Sequence, residues 1–226
     1  MDYRQAANER KYDFAASSYD LIAFIMSLGQ AKKIYKKVAD KINGNVSKKI
    51  VELGCGPASV TPYILEHTDI STQITGVDFS EQMIEIANRK KEKHNWENVT
   101  FECMDMYNFP ETQPADTVIF CLALTAIPDA TKALKKALSI LKSGGQMIIV
   151  DSIPLNSSWW HPFTNTYIYL KSLVVGAKPT RKILSFIHEN MVDIEIEEMV
   201  YGVYTVIKAK KASQQPHAGF TPDASS

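Results

Sequence analysis

A chain of 226 residues with 45% hydrophobic side chains is long enough to bury one sizeable core. Its 25 basic and 25 acidic side chains cancel, which leaves no cationic surplus for phosphates and excludes nucleic acid as the main partner. The cysteines, Cys55, Cys103 and Cys121, lie far apart with no C-x-x-C pair and no neighbouring histidine, which sets aside a disulfide framework and a metal site and fits a reducing cytoplasm.

Residues 1–13 are polar and charged and are expected to lie loosely on the surface. No secretory signal opens the chain. The stretch Ala15 to Leu28 is apolar nearly all round, so it needs cover from the core, from a ligand or from lipid. Its run Leu21 to Met26 is too short to span a bilayer. After Gly29, an apolar stripe of Ala31, Ile34, Tyr35, Val38 and Ile42 predicts a helix from Gln30 to Ile42. Lys32, Lys33, Lys36, Lys37 and Lys41 surround that stripe, either as a solvated face or as a face for anionic lipid.

Ile50 to Leu53 reads as a buried parallel strand that breaks into Gly54-Cys55-Gly56-Pro57-Ala58 before a helical pattern begins. Glycines at 54 and 56 permit a sharp turn and close approach of a small, partly anionic ligand to main-chain N–H groups, with the next helix's positive end behind them. Counting from Gly54, the third glycine of the dinucleotide fingerprint G-x-G-x-x-G would fall on Ser59, which disfavours a nicotinamide or flavin enzyme. Gln73 to Asp78 reads as a second strand tipped by a carboxylate suited to adjacent ribose hydroxyls. Ser80 then caps a helix with Met83, Ile84, Ile86 and Ala87 on its apolar face.

Val99 to Cys103 gives a third strand and Thr117 to Leu122 a fourth, whose carboxyl end faces the site. Asp129 caps a helix carrying Ala130, Ala133, Leu134, Ala137, Leu138 and Leu141, with Gly144 beyond its end. Gly145 to Val150 is a fifth strand, ended by Asp151. Beyond it, Trp159-Trp160-His161-Pro162-Phe163 leads into an aromatic and aliphatic helix at 166–175. The tryptophans pack under a helix, line an apolar pocket or rest at a membrane interface. Residues 180–190 predict a helix, and Val192 to Met199 and Gly202 to Lys210 two strands joined at Tyr201-Gly202.

The pattern Glu52, Gly54, Gly56 and Ala58 resembles motif I of the class I S-adenosylmethionine-dependent methyltransferases, an acidic-x-Gly-x-Gly-x-Gly stretch with alanine at the last position. That alanine keeps the backbone approach close, and the turn is expected to use ordinary backbone angles there. The N-terminal residues Tyr12-Asp13, Tyr19-Asp20, Met26-Ser27 and Gly29 resemble the ubiquinone/menaquinone C-methyltransferase branch. Ala123 to Ile127 departs from it, carrying no arginine or asparagine where that branch has Gly-x-Arg-Asn. The resemblance implies an α/β, Rossmann-like fold: a seven-stranded, mostly parallel sheet with an antiparallel C-terminal hairpin and helices on both faces. It implies residues 1–45 as a helical cap, residues 46–210 as the core with an apolar insertion at about 153–178, and residues 211–226 as a loose tail.

By the same resemblance the cofactor is S-adenosylmethionine, with Tyr19, Glu52, Gly54, Cys55, Gly56, Ala58, Asp78, Phe79, Met83, Asp105, Met106 and Cys121 around it. Asp105 and Met106 would read the adenine, and Tyr19 would lie near the methionine end. A small, lipophilic acceptor such as a quinol is expected, with peripheral contact to the inner face of a membrane. The candidates for proton removal are Tyr19, Asp151 and His161. A phospholipid or small-amine N-methyltransferase and a non-catalytic S-adenosylmethionine-binding protein stay open as alternatives, as does the oligomeric state.

Overall fold

The computed structural model describes residues 29–43 and 47–213, and the expectations for Tyr19, the rest of the N-terminal segment and the tail beyond residue 213 lie outside them. Seven strands form one sheet: β1 (Lys49–Leu53), β2 (Gln73–Asp78), β3 (Val99–Cys103), β4 (Ala115–Cys121), β5 (Leu141–Asp151), β6 (Val192–Met199) and β7 (Tyr204–Lys210). Their order is β3-β2-β1-β4-β5-β7-β6. The first five run parallel, and β7 pairs antiparallel with both β5 and β6. The expected seven-stranded mixed sheet is therefore the observed one.

Strands covered on both faces need apolar residues at successive positions, and side-chain alternation sends them to two cores. Val51, Val118, Phe120, Met147, Ile149 and Ile207 meet one face; Ile50, Ile119, Ile148, Val150 and Val206 meet the other. The first face is covered by α4 (Ala130–Ile140) and α6 (Lys182–Asn190), the second by α1 (Ala31–Asp40), α2 (Thr61–Glu66), α3 (Glu81–His94) and α5 (His161–Val175).

Local chemistry sets several boundaries. The Ser80 hydroxyl accepts from Met83 N–H at 3.4 Å and the Asp129 carboxylate from Lys132 N–H at 2.9 Å, so both anticipated caps form. Asn95 closes α3 in the left-handed conformation. Lys37 and Lys41 of α1 form ion pairs with Glu197, and Lys41 with Glu195 as well, so these two lysines hold the edge strand β6 instead of forming a free cationic face.

Three boundaries differ from the sequence reading. Leu141 continues the helical spacing of α4 but is extended and pairs with Ala115, since strand pairing there outweighs helical periodicity. The apolar helix α5 starts at His161, five residues earlier than its aliphatic pattern suggests, with Pro162 in its first turn. The turn before β7 takes in Val200, Tyr201 and Gly202, all at positive φ.

Candidate cofactor site

From β1 the chain steps to β2 and β3 on one side and then to β4 and β5 on the other, so the crevice between β1 and β4 is the switch point where such sheets bind ligands. A cavity of about 420 Å³ lies there. Its wall comes from the carboxyl ends of four strands: Gly54 and Gly56 after β1, Asp78 and Phe79 at β2, Met104 to Asn108 after β3, and Leu122 and Ala123 after β4. Ala126 to Asp129, Met83 and Lys132 complete it.

The glycine turn is shaped by contact and by backbone angle. Gly54 has φ +75°, and a Cβ there would lie 2.8 Å from the Ala123 Cβ, which only glycine avoids. Gly56 is at φ +51° and Ala58 at φ +58°. Ordinary angles were expected at Ala58, and the structure overturns that: the alanine is in the left-handed region despite its Cβ, at roughly 1–2 kcal/mol. It is fully buried, so packing around the turn offsets that strain. Helix α2 begins only at Thr61 and is short, and the turn's N–H groups are engaged within the protein, Gly54 and Cys55 on the Val77 carbonyl, Gly56 on Asp78 and Ala58 on the Cys55 carbonyl, so the expected row of N–H groups open to a ligand is not what the turn presents.

Asp78 is gripped by this turn. Its carboxylate accepts from Gly56 N–H at 2.8 Å and Ser80 N–H at 3.0 Å, with Phe79 N–H a further donor. Burial pushes its pKa up and those N–H groups pull against the rise, without cancelling it. A carboxylate has about four lone-pair directions, so acceptor capacity remains for a diol in the cavity. Asp105 accepts from Tyr107 N–H at 3.0 Å and opens the short 3-10 turn Met106–Asn108. The Tyr107 phenol, held by burial and by Asp129 and Asp105 at a pKa of about 12, is neutral, and the Lys132 ammonium stands 4.1 Å over its ring.

Glu52 of β1 is buried, and its Oε2 has no partner among the described residues. Burial first, then the charge of Asp78, raises its pKa well above the ordinary carboxylate range. Ser59 Oγ and Thr61 Oγ1 are likewise buried and unpartnered. Orphaned polar atoms on both flanks of a glycine turn are costly unless a ligand's own donors and acceptors reach them.

Of the anticipated site residues, Gly54, Gly56, Asp78, Phe79, Met83, Asp105 and Met106 line the cavity together. Cys55 is buried behind the turn with its thiol on the Gly56 carbonyl, and Cys121, Ala58 and Glu52 do not reach the lining. Asp151 lies behind the β4 wall, accepting from Thr125 N–H at 3.0 Å, Thr125 O–H at 2.6 Å and Ser152 N–H at 2.7 Å. His161 is fully buried, with Nδ1 accepting from Ser158 N–H at 2.9 Å and Nε2 3.2 Å from Glu198. Neither borders the cavity. Tyr107 and Lys132 also border it and were not among the expected site residues, and Leu122, Ala123, Ala126 and Ile127 border it where the carboxyl end of the fourth strand was expected to face the site. Their position just beyond strand ends at a switch point was the available signal.

A model of the ubiE/COQ5 methyltransferase family matches residues 3–174. Demethylmenaquinone methyltransferases of Streptomyces griseus and Staphylococcus saprophyticus are 29% and 31% identical over 158 and 157 residues, or 69% and 67% of this chain. The matched stretches take up 64% and 66% of those relatives, under two thirds of their length. Among solved structures, the N-methyltransferase NodS of Bradyrhizobium japonicum WM9 in complex with S-adenosyl-L-homocysteine superposes with a TM-score of 0.62 at 12% identity, covering 80% of this chain and 87% of that one. That likeness concerns the fold.

S-adenosylmethionine is the cofactor these comparisons support, and the residues present fit it. The acids Asp78 and Asp105 suit a ribose diol and an exocyclic amine, and Phe79, Met83 and Met106 suit a flat base. The orphaned atoms of Glu52, Ser59 and Thr61 lie outside the lining and take no part in that fit.

Proposed function

The chain belongs to the ubiE/COQ5 methyltransferase family, and on that premise we propose that it transfers a methyl group from S-adenosylmethionine to a ring carbon of a small, lipophilic, quinol-like acceptor. The observation that carries the reading is the switch-point cavity, where two carboxylates and a glycine turn face an apolar wall.

Bound S-adenosylmethionine supplies an electrophilic sulfonium methyl, so the protein's part is to align donor and acceptor and to exclude water. Asp78, fixed by three backbone N–H groups, holds the ribose, and Asp105 with Met106 orients the adenine. Leu122, Ala123 and Ile127 give the acceptor side an apolar surface that keeps water from the transfer line. A quinol-like acceptor also has a proton to lose. Asp151 and His161 have their oxygens and nitrogens engaged within the protein, which leaves Tyr19 as the sequence-derived candidate for that step.

Ala123 to Ile127 lacks the arginine and asparagine of the quinone branch, and that departure favours one second reading, methyl transfer to an amine, whose neutral form accepts the methyl without prior loss of a proton. The two separate in one experiment. The protein is titrated calorimetrically with S-adenosylmethionine and with NADH, then incubated with labelled S-adenosylmethionine and either a quinol lacking the ring methyl or a phospholipid amine. S-adenosylmethionine binding with carbon-bound label in the quinol supports the reading. Label in the amine alone replaces it, and failure to bind S-adenosylmethionine removes both.

A further inference from the structure

Helix α5 is amphipathic the wrong way round for a helix facing water. Its inward side buries His161, Thr164, Ile168 and Ser172, a set spaced at three and four residues and mostly small or polar. Its outward side presents Phe163 at 73%, Leu170 at 60% and Leu173 at 78% exposure, with Tyr169 half exposed between them. Trp159, 80% exposed, extends this stripe past the helix start, and Tyr201 joins it through its carbonyl, which accepts the Thr164 hydroxyl at 3.0 Å. A contiguous outward surface of large apolar side chains marks an interaction site.

Charge identifies the partner. From Ser152 to His188 the sequence contains no aspartate or glutamate, although the chain has 25 of them. The cations in that stretch include Lys178, Arg181 and Lys182, all exposed. Arg181 is placed beside the helix, because its guanidinium bonds the Asn156 side chain, which also accepts from Asn165 of α5 at 3.4 Å. Glu198 of β6 is bonded to Ser157 and His161 at the helix start; apart from that acid, tryptophan and tyrosine next to aliphatic side chains, flanked by cations, are the composition of an interfacial helix. With 15 residues, α5 is too short to cross a bilayer, and no described helix is long and apolar enough to do so.

We propose that the outward face of α5, with Trp159 and Tyr201, rests in the headgroup and upper acyl region of an anionic lipid surface. The cations at 178–182 then meet lipid phosphates while Phe163, Leu170 and Leu173 enter the acyl boundary. This surface is independent of the identity of the methyl acceptor.

The test uses the full chain and two kinds of vesicle, phosphatidylcholine alone and phosphatidylcholine mixed with phosphatidylglycerol. The protein sediments with the mixed vesicles on the order of tenfold more strongly than with the neutral ones, the attraction expected of a few cations at an anionic surface. In a variant with Trp96→Phe and Trp160→Phe, Trp159 emission moves to the blue on adding mixed vesicles. Combining Phe163→Ser, Leu170→Ser and Leu173→Ser abolishes sedimentation while S-adenosylmethionine affinity is kept, which certifies the fold. Arg181→Glu with Lys182→Glu lowers binding to mixed vesicles only. Absence of vesicle binding, or equal binding by the triple serine variant, overturns the proposal. So does Trp159 already shielded from acrylamide without lipid, which would mean cover by the chain's own N-terminal segment. A dimer dispersed by the triple variant overturns it in favour of a second copy.

Discussion

The two sides of the switch-point cavity are built on opposite principles. On the β1–β3 side the polar groups are clamped by backbone, with Asp78 taking N–H groups from Gly56, Phe79 and Ser80, and Asp105 taking one from Tyr107. On the β4–β5 side, the segment from Leu122 to Ile127 is apolar, and the nearby acid Asp151 is sealed behind it by Thr125 and Ser152. The first side suits one fixed ligand read through directional bonds. The second supplies shape and dryness, which suits an acceptor chosen by fit more than by polar pairing.

Breaking the polar side carries the largest effect. Asp78→Ala strands buried backbone donors and removes the proposed ribose acceptor, costing about 3 kcal/mol of stability at the 1–3 kcal/mol usual for such orphaned groups. S-adenosylmethionine affinity falls on the order of a hundredfold. Urea denaturation and calorimetric titration read the two losses separately, and unchanged affinity removes Asp78 from the site.

Gly54→Ala tests the seam between the sides, since the new methyl would stand 2.8 Å from the Ala123 Cβ at φ +75°. Destabilisation of about 2–4 kcal/mol is expected from the strained angle and the overpacking together. A melting temperature equal to that of the parent would show that the walls separate easily.

Two buried groups sharpen the contrast through pH. Glu52, its folded pKa raised, binds its proton more tightly when folded, so stability falls as pH rises from 4.5 toward that raised value. Lys171, bonded to the Ser152 and Tyr204 hydroxyls, has the opposite sign. Burial lowers its pKa from 10.5 to about 8, so the unfolded chain holds more protons between those values and stability rises with pH across that window. Glu52→Gln flattens the acid-side slope and Lys171→Met the alkaline one, measured as midpoints of denaturant unfolding across pH. A slope left in place assigns it to another group.

The smallest change is expected at Ala58. Ala58→Gly relieves about 1–2 kcal/mol of left-handed strain but adds unfolded-chain entropy and deletes a buried methyl, each worth up to about 1 kcal/mol. Stability therefore moves by no more than about 1 kcal/mol, whereas the branched Ala58→Val is clearly destabilising. A large gain for glycine would mean that the buried methyl contributes nothing.

The legibility of the sequence follows the same divide. Strands β1 to β3, the caps at Ser80 and Asp129, and the lining residues Gly54, Gly56, Asp78 and Asp105 were readable because each depends on local chemistry: a glycine angle, a side-chain cap, an acid at a strand tip. The carboxyl end of β4 was expected to face the site, but that Leu122, Ala123, Ala126 and Ile127 form its wall was not readable, since alanine and leucine look alike in a core and at a ligand surface. Asp151 and His161 attracted attention through residue type, yet each has partners that only the fold supplies. Ala58 misled because the left-handed turn is imposed by burial around it, which no pattern of neighbours announces.

The strand order has a consequence for how the molecule is made. Strand β7 lies between β5 and β6, so the open edge of β5 stays unpaired until residues 204–210 have left the ribosome. From the completion of β5 at Asp151 until β7 is made, the nascent chain therefore carries a bare row of amide and carbonyl groups along an apolar strand, the kind of edge on which chains aggregate. A message cut short near codon 200 would yield a protein with its cofactor residues present and its sheet unsealed, and such a product belongs to chaperones or proteases before it can turn over any substrate.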